Sequence, residues 1–441
     1  MTIFNRRDFL KTLAAAGSAS ILVVPAIGCA SSGSGASARL GAKARVVVIG
    51  GGFGGATAAK YIRMMDPEIE VTLVEPNATY TACPLSNEVI SGHRTLESLQ
   101  IGYGGLTKRG VHVVHNWVKS VDAVKKTVTL ANGKVLSYDA LVMSPGIDFT
   151  WGAVGGYTEA VAEQLPHAYK AGPQTQLLKK QVMAMRDGDV CIIAPPPKPF
   201  RCPPGPYERA AQIAHYLKHH GKGKSKILIL DPNDSFSKQG LFLQAWKALY
   251  PGMIEWVPGK DDGKVVRVDP ATRMCYTTFG EHKGEVVNII PAHTAGKIAR
   301  DAGLANAQGW CEVQPSSMES TVHKDVYPIG DACIAGDMPV YDMPKSAHMA
   351  STQAKVAAGA IVAKVNGVAA PEPFYVNTCY SLAAPDYGFS VVHIYKVENN
   401  KFVYIKTAGG ISPLETPPIT RRLEAEYANG WFNNIMADSF A

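Results

Sequence analysis

The chain lacks several features that would commit it to a function class. Its net charge is only +7 and no basic stripe runs along any segment, which argues against a nucleic-acid partner. No C-x-x-C-H occurs, so the chain attaches no c-type haem to itself. Beyond the N-terminus there is no uninterrupted apolar run long enough to span a bilayer, and no internal repeat. Nothing after the first forty or so residues has the composition of a disordered segment, and 441 residues suffice for two or three domains with cores of their own.

What the N-terminus holds is an address. Arg6 and Arg7 precede an apolar run and then a small-residue tract, the pattern of a twin-arginine export signal over residues 1–38. The run is too short for a spanning helix. AIGC, ending at Cys29, resembles a lipoprotein cleavage box and makes a lipid anchor at Cys29 the alternative to cleavage after Ala38. Periplasmic export implies an oxidising compartment in which disulfides persist. Cys83, Cys191, Cys202, Cys275, Cys311, Cys333 and Cys379 remain after Cys29, and spacing alone fixes no pairing.

A first nucleotide site is written in full. RVVVIGGGFGG is an apolar strand that runs into Gly50-x-Gly52-x-x-Gly55, then a helix, then the strand EVTLVE ending at Glu75. Such glycines let the backbone turn tightly and approach a pyrophosphate at a helix N-terminus, and an acid at the end of the second strand accepts from a ribose hydroxyl. ALVMSPG, ending at Gly146, and VYPIGDA, carrying Asp331, resemble the accessory motifs of flavoproteins with two dinucleotide domains. In that order they favour FAD.

A second βαβ frame follows, but its glycines are missing. DVCIIA, YERAAQIAHYLKHH and KILILD are its strand, helix and strand, and the loop between the first two is PPPKPFRCPPGP. Proline offers no N–H to a phosphate and fixes φ, so this loop should bind no nicotinamide dinucleotide. It offers Cys202 instead, close to a helix N-terminus where a thiolate is expected to be stabilised, with Glu208 in the helix's first turn as a candidate proton acceptor.

FRCPPGPYERA, NTCYSLAAP, CPLSNEVISGHRTLES, SSMESTVHKDVYPIGDA and WFNNI together resemble the flavoprotein subunit of flavocytochrome c sulfide dehydrogenase, over essentially everything after the signal. The resemblance implies an α/β fold with two Rossmann-like dinucleotide-binding-type domains and a small α+β C-terminal domain. It implies FAD held through a thioether at Cys83, a redox-active Cys202–Cys379 disulfide, Glu208 as base and Trp431 approaching the flavin. The implied reaction is attack by HS⁻ on the disulfide, two electrons to FAD, and single electrons onward to a c-type cytochrome partner carrying haem. Ala82 and Pro84 flank Cys83 where the family pattern is expected to hold a polar or aromatic pair, which puts the thioether in question. Cys333 is not demanded by the pattern and reads as a small core residue, with a competing thiol as the alternative.

The expected layout is an FAD domain over 44–168 and 286–363, a dinucleotide-domain-like insert over 169–285 and a C-terminal domain over 368–441. Three rivals remain: a sulfide:quinone oxidoreductase, an NAD(P)H-dependent disulfide reductase, and a flavin-bearing sulfur-carrier or interaction subunit. The tail TRRLEAEYANGWFNNIMADSFA reads as too polar to dip into a membrane, against the first, and the proline loop argues against the second.

Overall fold

The structure, a computed structural model, describes residues 42–334 and 343–441. Residues 1–38, where an export signal is expected, and with them Cys29 lie outside the described residues. In chain order the elements that position the site begin with β1 (Ala44–Ile49), α1 (Phe53–Met65), β2 (Ile69–Val74), β3 (His112–Val114) and β4 (Ala140–Met143). Then come β5 (Val190–Ala194), α2 (Gly205–His219), β6 (Lys226–Leu230), α3 (Gln239–Leu249), β7 (Ile254–Val257), β8 (Val286–Ile289) and β9 (Val326–Pro328). The last are α4 (Ala347–Asn366), β10 (Phe374–Ala384), β11 (Tyr387–Glu398), β12 (Lys401–Tyr404) and α5 (Pro418–Phe440).

The first sheet has the order β9-β4-β1-β2-β3 and every pairing in it is parallel. Its strands are almost wholly apolar because both faces of a parallel sheet are covered. The chain leaves β1 for β2 on one side and β4 lies on the other, so the C-terminal end of β1 is a switch point of the kind where ligands bind. A second parallel sheet, β7-β6-β5-β8, repeats the plan, with a switch point at the end of β5. Here the expected boundary at residue 286 is corrected. Val286–Ile289 pairs with β5 and so belongs to the insert, not to the FAD domain. The apolar run VVNI marks a buried strand without saying which sheet it joins.

Between these sheets and the C-terminal unit runs α4. Ser346 caps its start by accepting the Met349 N–H at 3.1 Å, and Gly367 ends it in the left-handed region at φ 65°. β10, β11 and β12 form an antiparallel sheet, with the short strand Gly410–Ile411 on β11. Helix α5 closes against it and returns the C-terminus to the first sheet's helix. The Phe440 ring stacks on Tyr80 at 5.4 Å, and Ser439 accepts from Thr57 at 2.9 Å. Among the described residues no helix is long and apolar enough to cross a membrane.

Candidate active site

One cavity of about 1320 Å³ runs from the end of β1 to β10, well above the about 300–1,000 Å³ of an ordinary small-molecule pocket. Gly50 turns the chain out of β1 at φ +94°, and a β-carbon there would lie 2.2 Å from the Ser144 carbonyl oxygen. Gly52 then opens α1 with no side-chain cap and no acid in the first turn, which leaves the helix N–H groups for a phosphate. Gly55 does not line the cavity. It lets α1 lie on the β1 turn, since a β-carbon there would meet the Gly50 oxygen at 1.8 Å. Glu75 follows β2 and accepts from the Gly51 N–H at 2.9 Å, so its carboxylate is aimed at the loop.

The wall beyond the glycines fits FAD. Asp331, in the turn after β9, is half-buried on the cavity wall, and its buried Oδ1 has no hydrogen-bond partner. A buried acceptor left unpaired costs about 1–3 kcal/mol, which a ribityl hydroxyl would offset. Burial pushes the Asp331 carboxyl up, opposed by the Arg201 and Lys345 cations. Gly146, at φ +69°, and Cys83 also line the cavity. Pro84 does not turn Cys83 away: Ala82 is anchored by its N–H to the Leu99 carbonyl at 2.9 Å, and Leu85 takes up the change of direction at φ 63°. Trp431, on α5, reaches the same cavity with its ring 6.1 Å from Tyr380.

Cys202 and Cys379 both line this cavity, and both are free cysteines. Cys202 sits on the proline loop at φ 53°, a conformation that non-glycine residues adopt at a cost of about 1–3 kcal/mol. Three bonds hold it there. Its N–H donates to the Lys345 carbonyl at 2.9 Å, and its carbonyl accepts from the Gly205 N–H at 2.8 Å and the Tyr169 hydroxyl at 2.7 Å. Cys379 lies in mid-strand on β10, opposite Val391 of β11. The half-buried Glu208 accepts from the Leu382 N–H at 2.7 Å and from Asn87 at 3.1 Å. Burial raises its pKa, partly offset by the Leu382 N–H and the Lys238 charge.

The expectation that the helix N-terminus stabilises a Cys202 thiolate is corrected. Burial, then Cys379, then Glu208 push the Cys202 thiol up, and they outweigh Arg201 and Lys238. Helix termini act within their first turn, and the first turn of α2 holds Glu208, a negative charge of its own. Sequence reasoning also missed Lys238. Its ammonium donates to the Cys379 carbonyl at 3.0 Å and meets Cys379 Sγ at 3.5 Å. Arg201, whose buried Nε has no partner, was missed as a cavity residue for want of any spacing signal.

The second nucleotide frame has filled itself. Asp231 ends β6, where a ribose-binding acid would stand, but it is fully buried and accepts from the Tyr207 hydroxyl at 2.6 Å and Trp256 Nε1 at 2.9 Å. The Tyr207 ring stacks on Phe236 at 3.7 Å. Cys333, buried beside Gly330, donates to its carbonyl at 3.2 Å, and burial pushes its thiol up to about 11, as suits an inert core residue.

Three family descriptions match. "Sulfide dehydrogenase [flavocytochrome c] flavoprotein chain, central" covers residues 175–291, "Flavocytochrome c sulphide dehydrogenase, flavin-binding" covers 371–440, and "Pyridine nucleotide-disulphide oxidoreductase" covers 44–181. A short "Sulfide dehydrogenase [flavocytochrome c] flavoprotein chain" sequence from Chlorobaculum thiosulfatiphilum is 64% identical over 45 residues, which are 10% of this chain and 94% of that one. The chain belongs to the flavocytochrome c sulfide dehydrogenase flavoprotein family. It is an oxidoreductase of the flavoprotein type, and the cofactor its cavity takes is FAD. More distantly, the mitochondrial sulfide:quinone oxidoreductase of Dictyostelium discoideum is 20% identical over 382 residues, 82% of this chain and 81% of that one. The solved sulfide:quinone oxidoreductase of Aquifex aeolicus shares the fold, with a TM-score of 0.70 at 19% identity over 90% of this chain and 91% of that one.

Proposed function

We propose that this chain oxidises sulfide at a Cys202–Cys379 disulfide beside FAD and hands the electrons to a c-type cytochrome subunit in the periplasm, after export by the twin-arginine route. The observation that carries the reading is that two half-buried sulfurs from distant parts of the chain, with the half-buried Glu208, line the same cavity as the dinucleotide fingerprint.

In the oxidised pair, HS⁻ forms an S–S bond with one sulfur as the Cys202–Cys379 bond breaks, leaving a persulfide on that cysteine and a thiolate on the other. Glu208, raised by burial, takes the persulfide proton. The bonds from Lys345, Gly205 and Tyr169 hold the Cys202 backbone still while its sulfur exchanges. FAD, when bound along the wall of Gly50, Gly52, Glu75 and Asp331, would supply a two-electron acceptor beside the two sulfurs. With Asp231 occupied by Tyr207 and Trp256, the second frame has no free acid to hold the ribose of an NAD(P)H.

The test is an anaerobic sulfide titration of the flavin absorbance. The wild type is expected to bleach, and Cys202→Ser and Cys379→Ser to lose bleaching; full bleaching and turnover in both variants would sink the disulfide mechanism. A quinone-reducing reading draws on one feature: Ile419, Leu423 and Tyr427, one turn apart on α5, are 57%, 37% and 56% exposed. Sulfide-dependent reduction of cytochrome c but not of a short-chain quinone separates the two readings.

A further inference from the structure

The reading above leaves open which sulfur departs and what holds its charge. Lys238 lies at the N-terminal edge of α3, at the end of the loop that follows β6, and is almost fully buried. It forms no ion pair within 4 Å among the described residues; its ammonium meets the Cys379 carbonyl, Cys379 Sγ and the face of the Phe389 ring at 5.8 Å, with the Glu208 carboxyl further off but within electrostatic reach. A buried ammonium with no anion in direct contact is costly, and the sulfur 3.5 Å away is the nearest atom able to become one. Lys238 is held in the left-handed region at φ 60°, and its carbonyl accepts the Leu241 and Phe242 N–H groups that start α3. The backbone is therefore pinned where the side chain must point.

Resting on the disulfide reading, we propose that Lys238 is a further catalytic residue, whose ammonium stabilises Cys379 as the departing thiolate and so makes Cys202 the sulfur that sulfide attacks. The new bond joins the sulfide sulfur to Cys202 Sγ. The Cys202–Cys379 bond breaks with its electron pair on Cys379 Sγ, whose negative charge faces Lys238. No oxidant enters this step. A leaving thiol of lower pKa departs faster, and the two sulfurs are surrounded differently. Cys202 has Glu208 on α2 and Arg201 on its own loop about it, and the Lys238 charge acts on it more weakly than either. Lys238 faces Cys379 from α3, with His393 on β11 and His348 on α4 near by, the latter accepting the Thr378 N–H at 2.9 Å.

The experiment measures the thiols directly. The dithiol form of the FAD-loaded protein is alkylated with iodoacetamide across pH, and Cys379 and Cys202 are quantified in separate peptides. Cys379 is expected to react at lower pH than Cys202. In Lys238→Met its reaction at pH 7 should slow about tenfold, the size of one pKa unit, and Lys238→Arg should restore it. An unchanged Cys379 profile in Lys238→Met overturns the proposal, as does faster reaction of Cys202 than Cys379 in the wild type. A merely structural role at the Cys379 carbonyl would not move the profile in this charge-dependent way. The readout needs no sulfide turnover, so the disulfide mechanism can fail in the titration while this assignment stands, and the reverse. A wild-type circular-dichroism spectrum and thermal midpoint in Lys238→Met would show that the variant is folded.

Discussion

The Tyr207 hydroxyl donates to Asp231 Oδ2 at 2.6 Å, and that bond closes the second nucleotide site from within. In a dinucleotide-binding frame the acid after the second strand serves a ribose. Here it serves a tyrosine from the helix that ought to cap the phosphates.

The first prediction follows from that bond. NADH and NADPH at millimolar concentration should leave the flavin absorbance unchanged under anaerobic conditions. Tyr207→Phe should not open the site, because Trp256 Nε1 still donates to Asp231 at 2.9 Å. It should cost about 1–3 kcal/mol of stability, the penalty for removing a partner from a buried carboxylate, read as a lowered denaturant midpoint.

Gly205 answers for the room that Cys202 has. A β-carbon at that position would lie 2.7 Å from the Tyr169 hydroxyl and 3.1 Å from Cys202 Sγ. Gly205→Ala is therefore expected to displace Tyr169 from the Cys202 carbonyl and to slow sulfide-dependent flavin reduction at least tenfold while FAD content is kept. Stopped-flow reduction beside a flavin-to-protein absorbance ratio measures both, and an unchanged rate would show that the loop tolerates the methyl.

These residues differ in how far sequence announces them. Gly50, Gly52, Glu75 and Asp331 were legible because their chemistry depends on local spacing: a strand end, a tight turn, an acid at a fixed offset. Cys379 was reachable only through resemblance, since β10 is an ordinary strand whose register with β11 happens to turn one sulfur to the cavity. Lys238 sits in DPNDSFSKQG, which reads as a solvated loop, and its burial is a property of how β11 and α3 close over it. The thiolate assigned to Cys202 failed for the same reason. A helix terminus is visible in sequence, but the desolvation that outweighs it is not.

In the proposed mechanism Glu208 sets the pH behaviour. Its carboxyl is raised by burial, so it ionises above the about 4.3 of an ordinary glutamate. As pH falls through the folded-state pKa the proton acceptor is lost, and turnover should fall with it along an acid limb that lies above the usual carboxylate range. Glu208→Gln should remove that limb and lower kcat by about 10²–10⁴. A pH–rate profile from about pH 4 to 9 checks the assignment; an acid limb that persists in the variant belongs to another group.

The cofactor predictions separate attachment from fit. Cys83 lines the cavity despite Pro84, so acid-denatured wild type is expected to carry flavin in the pellet and Cys83→Ser to release it to the supernatant. With that bond gone, binding rests on non-covalent contacts, among them the unpaired Asp331 Oδ1. Asp331→Ala in the Cys83→Ser background should weaken FAD binding about tenfold to a hundredfold, about 1.4–2.8 kcal/mol, measured by quenching of FAD fluorescence on titration into apoprotein. Equal affinity with and without the Asp331 carboxylate would mean that the ribityl chain lies elsewhere in the cavity.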